Sequence, residues 1–99
     1  MTITTDPVDL LVRLVETPSV SGNEAAVVEI LRGELDAFGF APVVSGRNVW
    51  CALEGARRGK TLLFEAHVDT VPSSKEWTSD PWKVVRAGGR VQGLGANDV

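Results

Sequence analysis

The sequence predicts an α/β fold in which two N-terminal helices lie on a mixed β-sheet. Three observations carry that reading. Apolar residues recur at helical spacing as far as Phe38. After Gly39 the pattern changes to short runs rich in Val, Leu, Phe and Trp, separated by glycines, as strands and their turns require. Leu62, Leu63 and Phe64 then stand in an unbroken apolar run, the pattern of a strand covered on both faces by helices.

Asp6 before Pro7 starts the first helix: the carboxylate can cap free N–H groups, and proline at the first helical position forfeits no hydrogen bond. Val8, Leu11, Leu14 and Val15 form its apolar stripe until Pro18 stops it. Ser21 and Glu24 are spaced as a capping box for a longer helix over residues 22–38. Val27, Ile30, Leu31, Leu35 and Phe38 line that helix, and Gly39 supplies its C-terminal cap. Strands are expected over residues 40–45 and 48–53 around a turn at Gly46 and Arg47, and over residues 61–68 as the central strand. Residues 72–81 read as a surface loop, and Gly88 and Gly89 join residues 84–87 to residues 90–92 in a second hairpin.

The chain has 99 residues, 43% hydrophobic and 23% charged, which suits one small packed core and not a disordered tail. Ten basic residues against 13 acidic leave a net charge of −3, so no basic face is offered and nucleic acid is excluded as a partner. The one cationic cluster, Arg57, Arg58 and Lys60, sits in a glycine-flanked turn. Cys51 is the sole cysteine, which rules out an internal disulfide and reads as a buried structural thiol. No basic leader precedes an apolar run and no 18 apolar residues stand together, so no membrane partner is expected and the protein reads as cytoplasmic. Trp50, Trp77 and Trp82 are expected in core or lid-loop packing, the latter two also able to line a site.

Two groups of residues could carry chemistry. His67, the only histidine, closes the expected central strand and is followed two residues later by Asp69, which on a strand points to the same side. A carboxylate beside an imidazole orients the ring and fixes which nitrogen can bind a metal. A histidine hydrogen-bonded at a strand end for structural reasons shows the same pattern. Gly93-Leu94-Gly95-Ala96-Asn97-Asp98 is a glycine-punctuated turn ending in an acid, which suits either a metal ligand or a simple turn or helix cap.

Taken together, Glu65-Ala66-His67-Val68-Asp69-Thr70-Val71-Pro72, then Trp77 and Asp80-Pro81-Trp82, then Gly89-Arg90-Val91-Gln92 running into that turn, resemble the M20 family of zinc amidohydrolases and peptidases. Thr17-Pro18-Ser19-Val20-Ser21-Gly22-Asn23-Glu24 and Gly46-Arg47-Asn48-Val49 look like the family's N-terminal start. The resemblance implies that His67 is a ligand of one zinc ion. It implies too that Asp69 orients that imidazole and counts as catalytic, and that Asp98 bridges two zinc ions. Cobalt or another divalent metal could serve in place of zinc. It further implies hydrolysis of an amide in a small N-acyl amino acid or short peptide, with a glutamate as general base. Leu94 stands where the commoner family version has arginine, a point of similarity to the acetylornithine deacetylase branch. Carboxypeptidase, dipeptidase and succinyl-diaminopimelate desuccinylase chemistries are the alternatives.

On this resemblance residues 1–99 are an N-terminal fragment of a metallohydrolase catalytic domain, the front third of the enzyme. The general base, the remaining ligands and the dimerisation domain of a homodimeric protein would fall beyond Val99. The chain alone is therefore expected to be inactive. The competing reading, from another class, is a non-catalytic fragment or interaction module.

Overall fold

The computed structural model describes residues 5–98. Residues 1–4, part of the N-terminus read above as carrying no leader, and Val99 lie outside them. Helix α1 spans Pro7–Val15 and helix α2 spans Ala25–Ala37. Strands β1 (Val43–Ser45) and β2 (Asn48–Trp50) form one antiparallel pair, β3 (Val85–Ala87) and β4 (Arg90–Gln92) another. Helices and antiparallel strands together make the α/β class that the sequence predicts.

The local signals explain where the elements begin and end. Asp6 caps α1, its Oδ1 accepting from the amides of Val8 (2.7 Å) and Asp9 (3.3 Å). At the end of α2, Gly39 takes φ +85°, its N–H donates to Asp36 O, and Phe40 N–H donates to Leu35 O. That pair of bonds is a Schellman cap, and the left-handed residue it requires is why a glycine stands there. Gly88 and Gly89 both have positive φ, 59° and 73°, as a two-residue I′ hairpin turn demands.

The capping box does not form. Glu24, not Ser21, is the N-cap of α2, and it makes no side-chain cap bond. Its carboxylate instead accepts from Gly22 N–H (2.8 Å) and pairs with Arg47 in the β1–β2 turn (3.3 Å). Ser21 is unavailable because its amide and its hydroxyl are bonded to residues 69 and 70. Buried Glu24 is held below the ordinary carboxylate range first by the Gly22 amide; burial opposes this and Arg47 adds to it.

The core is small: among the described residues, Val15 of α1 and Val27 and Val28 of α2 are the buried apolar ones. Helix α2 packs on the first hairpin. Helix α1 meets the second through Asp9, which pairs with Arg86 (2.8 Å), and Glu16, which accepts from Val84 N–H (3.4 Å). The helices are tied to each other by the Arg13–Glu34 ion pair and by a bond from the Thr5 hydroxyl to Glu34 (2.7 Å).

The expected central strand is the main correction. Residues 61–68 belong to no ladder, and the side of the chain meant to be covered lies open, with Phe64 87% exposed and Leu63 79%. An apolar run becomes a strand only when neighbours pair with both its edges and pack on its faces. Among the described residues the nearest such pairing is a single parallel bridge between Val20 and Thr70, just past this run. The strands thus form two separate ribbons, and the radius of gyration, 15.4 Å, exceeds the roughly 13 Å of a compact domain this long. Trp50 is likewise exposed, and Cys51, expected to be buried within a strand, lies half-buried just beyond β2. Trp77 and Trp82 are half-buried. Among the described residues no helix is long and apolar enough to cross a membrane.

Candidate functional site

The loop between the helices builds the site by clamping the chain around Val68 and Thr70. Ser21 N–H donates to Thr70 O (3.1 Å), Thr70 N–H donates to Ser19 O (2.9 Å), and the buried Ser19 hydroxyl donates to Val68 O (2.8 Å). Three bonds to alternate residues fix this stretch as extended backbone although it has no strand partner along 61–68. His67 and Asp69 consequently project together.

Nδ1 of His67 faces the carbonyl oxygen of Asp69 (3.1 Å) and its Oδ1 (3.2 Å). Both are acceptors, so Nδ1 carries the proton and, in the neutral ring, Nε2 keeps its lone pair free. The other carboxylate oxygen of Asp69, Oδ2, accepts from the Ser21 hydroxyl. That bond is the first cause holding the Asp69 carboxyl below its ordinary range; partial burial opposes it and His67 reinforces it.

Asp98 arrives from the far end of the chain through a tight series of turns. Leu94 N–H donates to Pro81 O (3.0 Å), Ala96 N–H to Gly93 O (3.2 Å) and Asp98 N–H to Gly95 O (3.2 Å). Gly93 packs so closely on α1 that a Cβ there would overlap Cγ1 of Val15, and Gly95 has φ +82° with the Thr70 methyl 3.0 Å from where its Cβ would stand. The glycine at each position is therefore demanded, by close approach at one and by backbone conformation at the other. The result brings Asp98 Oδ2 to 3.4 Å from Nε2 of His67.

His67 thus lies between two carboxylates. Its pKa is raised, first by the Asp69 carbonyl, with partial burial opposing and Asp98 and the Asp69 carboxylate adding. The three residues singled out from the sequence are all brought together, and two of them, His67 and Asp69, line an open cleft of about 660 Å³ together with Ser21, Glu24 and Arg47. A smaller cavity of about 140 Å³ adjoins His67 and Asp98 on an apolar floor of Leu14, Val15 and Val27.

The donor set fits a divalent metal in part. Two ligands of one tetrahedral zinc, with bonds of about 2.0 to 2.2 Å, stand roughly 3.4 Å apart, and that is the separation of Nε2 and Oδ2. Among the described residues no three His, Cys, Asp or Glu side chains are grouped so as to hold a metal ion by themselves. Sequence reasoning missed Ser19 and Ser21. A serine ahead of a helix reads as a cap, and the resemblance of residues 17–24 to the M20 start assigned them no place at the site.

Curated proteins align with nearly the whole chain. It is 34% identical to the succinyl-diaminopimelate desuccinylase of Novosphingobium aromaticivorans over 95% of its own length and 28% of that protein's. The chain is similar to succinyl-diaminopimelate desuccinylases. That of Paracidovorax citrulli is 33% identical over 88% of this chain and 26% of its own, and that of Buchnera aphidicola subsp. Acyrthosiphon pisum 35% over 92% and 25%. These relatives support the M20 resemblance read from the motifs, and they are enzymes by name. The chain spans about a quarter of the length of the relatives it matches. No family model matches the chain, and no solved structure matches it significantly.

Proposed function

We propose that the chain is the N-terminal part of an M20-type, metal-dependent amidohydrolase that deacylates a small N-acyl amino acid. The observation that carries this reading is the meeting of Nε2 of His67 with the Asp98 carboxylate at the spacing of two ligands of one ion, with Asp69 behind the ring. His67 and Asp98 are the residues that would hold the metal, zinc in the first instance. When bound, zinc supplies Lewis-acid polarisation of an amide carbonyl and lowers the pKa of water.

The chain's own residues prepare that chemistry. Asp69 holds the Nδ1 proton, which keeps the Nε2 lone pair aimed at Asp98 and raises its basicity. The turn through Gly93 and Gly95 carries Asp98 back to the His67 ring. The glutamate general base and the other ligands implied by the resemblance are not among these residues, and the isolated chain should not turn over substrate.

The acyl group follows the relatives' names. Leu94 supports an acetyl substrate by its likeness to the acetylornithine branch, but the aligned proteins are named as desuccinylases, so the succinyl amide of a diamino dicarboxylic acid is the better-supported substrate. Reading the coding DNA past the codon for Val99 and assaying any longer in-frame product with N-succinyl-diaminopimelate and N-acetylornithine tests this. Faster metal-dependent release of succinate supports the reading; no metal-dependent hydrolysis of either amide overturns it.

A further inference from the structure

The Ser21 side chain bonds directly to Asp69 and is accounted for neither by the proposed ligand set nor by the helix caps. Its hydroxyl has a single proton and two acceptors within reach: Oδ2 of Asp69, in a short bond, and the carbonyl of Thr70 at 3.5 Å. A hydroxyl bonds more strongly to a carboxylate than to a distant carbonyl, so the proton goes to Asp69. With Oδ2 taken in this way, the carboxylate cannot swing about its side-chain bonds without losing that bond, and Oδ1 stays on Nδ1 of His67.

We propose that Ser21 is a positioning residue for the proposed metal centre, acting through Asp69 on His67. The inference rests on the assignment of His67 and Asp98 as metal ligands. Its geometric part, that Ser21 sets how Asp69 meets the imidazole, stands without the metal.

The surroundings favour a test by substitution. The Ser21 backbone is held by its own amide on Thr70 O, next to the bond from Thr70 N–H to Ser19 O, and neither needs the Ser21 side chain. Ser21→Ala therefore removes the hydroxyl and leaves the clamp, while Ser21→Thr keeps a hydroxyl in place. His67 is the chain's only histidine, so its imidazole signals in a ¹⁵N-labelled sample are free of overlap.

The experiment uses the 99-residue chain and its Ser21→Ala, Ser21→Thr, Asp69→Ala and Ser21→Ala/Asp69→Ala variants, each checked for an intact backbone amide spectrum. The His67 ring signals are recorded without metal and then through a titration with zinc. In the metal-free chain, Ser21→Ala should move the Nδ1–H proton upfield, toward its position in Asp69→Ala, because a bond to a carboxylate is traded in part for one to a carbonyl. Ser21→Thr should restore it.

With zinc, Ser21→Ala should weaken binding by about threefold to tenfold, less than the roughly tenfold or greater loss usual when a group bonded directly to a ligand is removed. The loss should vanish when Asp69 is already alanine, since two residues acting along one path do not add. An unchanged Nδ1–H signal in Ser21→Ala would overturn the proposal, as would an equal loss of affinity in the presence and absence of Asp69, which would mark Ser21 as merely structural. If zinc leaves the wild-type ring signals unmoved, the metal assignment fails, and the metal-free spectra still decide whether Ser21 positions Asp69.

Discussion

Nε2 of His67 stands 3.4 Å from Oδ2 of Asp98, while Nδ1 of the same ring faces Asp69. One imidazole is thereby given a proton acceptor on one side and a second carboxylate on the other, on a chain whose fold brings Asp98 back from its far end.

The isolated chain should bind zinc weakly and hydrolyse no amide. Two protein ligands leave the ion held mostly by water, and ordering the site costs entropy that two bonds only partly offset. His67→Ala should abolish the zinc-induced shifts of the Asp98 amide, and Asp98→Asn should weaken binding by at least about tenfold. Calorimetric titration beside an assay with N-acyl amino acids checks both. Tight stoichiometric binding with turnover that His67→Ala removes would contradict the proposed ligand set.

His67 should titrate above the ordinary histidine value of about 6.5. Protonation is favoured in the folded chain first by the Asp69 carbonyl, against some burial, and next by the Asp98 carboxylate. The sign follows by linkage. The stabilisation from His67 is complete below its unfolded-state pKa and is lost as pH rises through the higher folded-state value. Following the ring protons against pH gives the midpoint. Asp98→Asn should lower it, and a wild-type midpoint at or below 6.5 would show that the carboxylates do not hold the ring as described.

Gly93→Ala should destabilise the chain by about 1 to 3 kcal/mol, the usual cost of forcing an extra methyl group into close packing. The new Cβ would strike Cγ1 of buried Val15, whose β-branched side chain has few alternative rotamers inside a helix. A shift in the urea midpoint at constant slope measures the effect. Because the same turn carries Asp98, the His67–Asp98 contact should loosen as well, visible as a lower titration midpoint for the ring.

Phe64→Ala should change stability by less than about 0.5 kcal/mol, as substitutions at exposed positions do. Its side chain is 87% exposed. Were residues 61–68 the covered central strand that the sequence predicts, the same substitution would cost about 3 to 5 kcal/mol. Urea melts of the two proteins separate these outcomes.

The sequence by itself determined the local elements. Asp6 and Pro7 started α1, Gly39 ended α2, and the glycines of the two hairpins set their turns. Each is a matter of backbone angles and hydrogen bonds within a few residues, which neighbours in the chain decide. It also put His67 and Asp69 together, since two residues apart on extended backbone project to one side. The tertiary structure alone decided the rest. Ser21 left its expected cap because residues 69 and 70 offered its amide and hydroxyl better partners. Residues 61–68 stayed out of any ladder because pairing depends on what lies alongside in space, and an apolar run does not carry its own partners. Asp98 reached His67 only because Gly93 could lie against Val15 and Gly95 could turn left-handed, so a contact between distant residues rests on packing that no local pattern records.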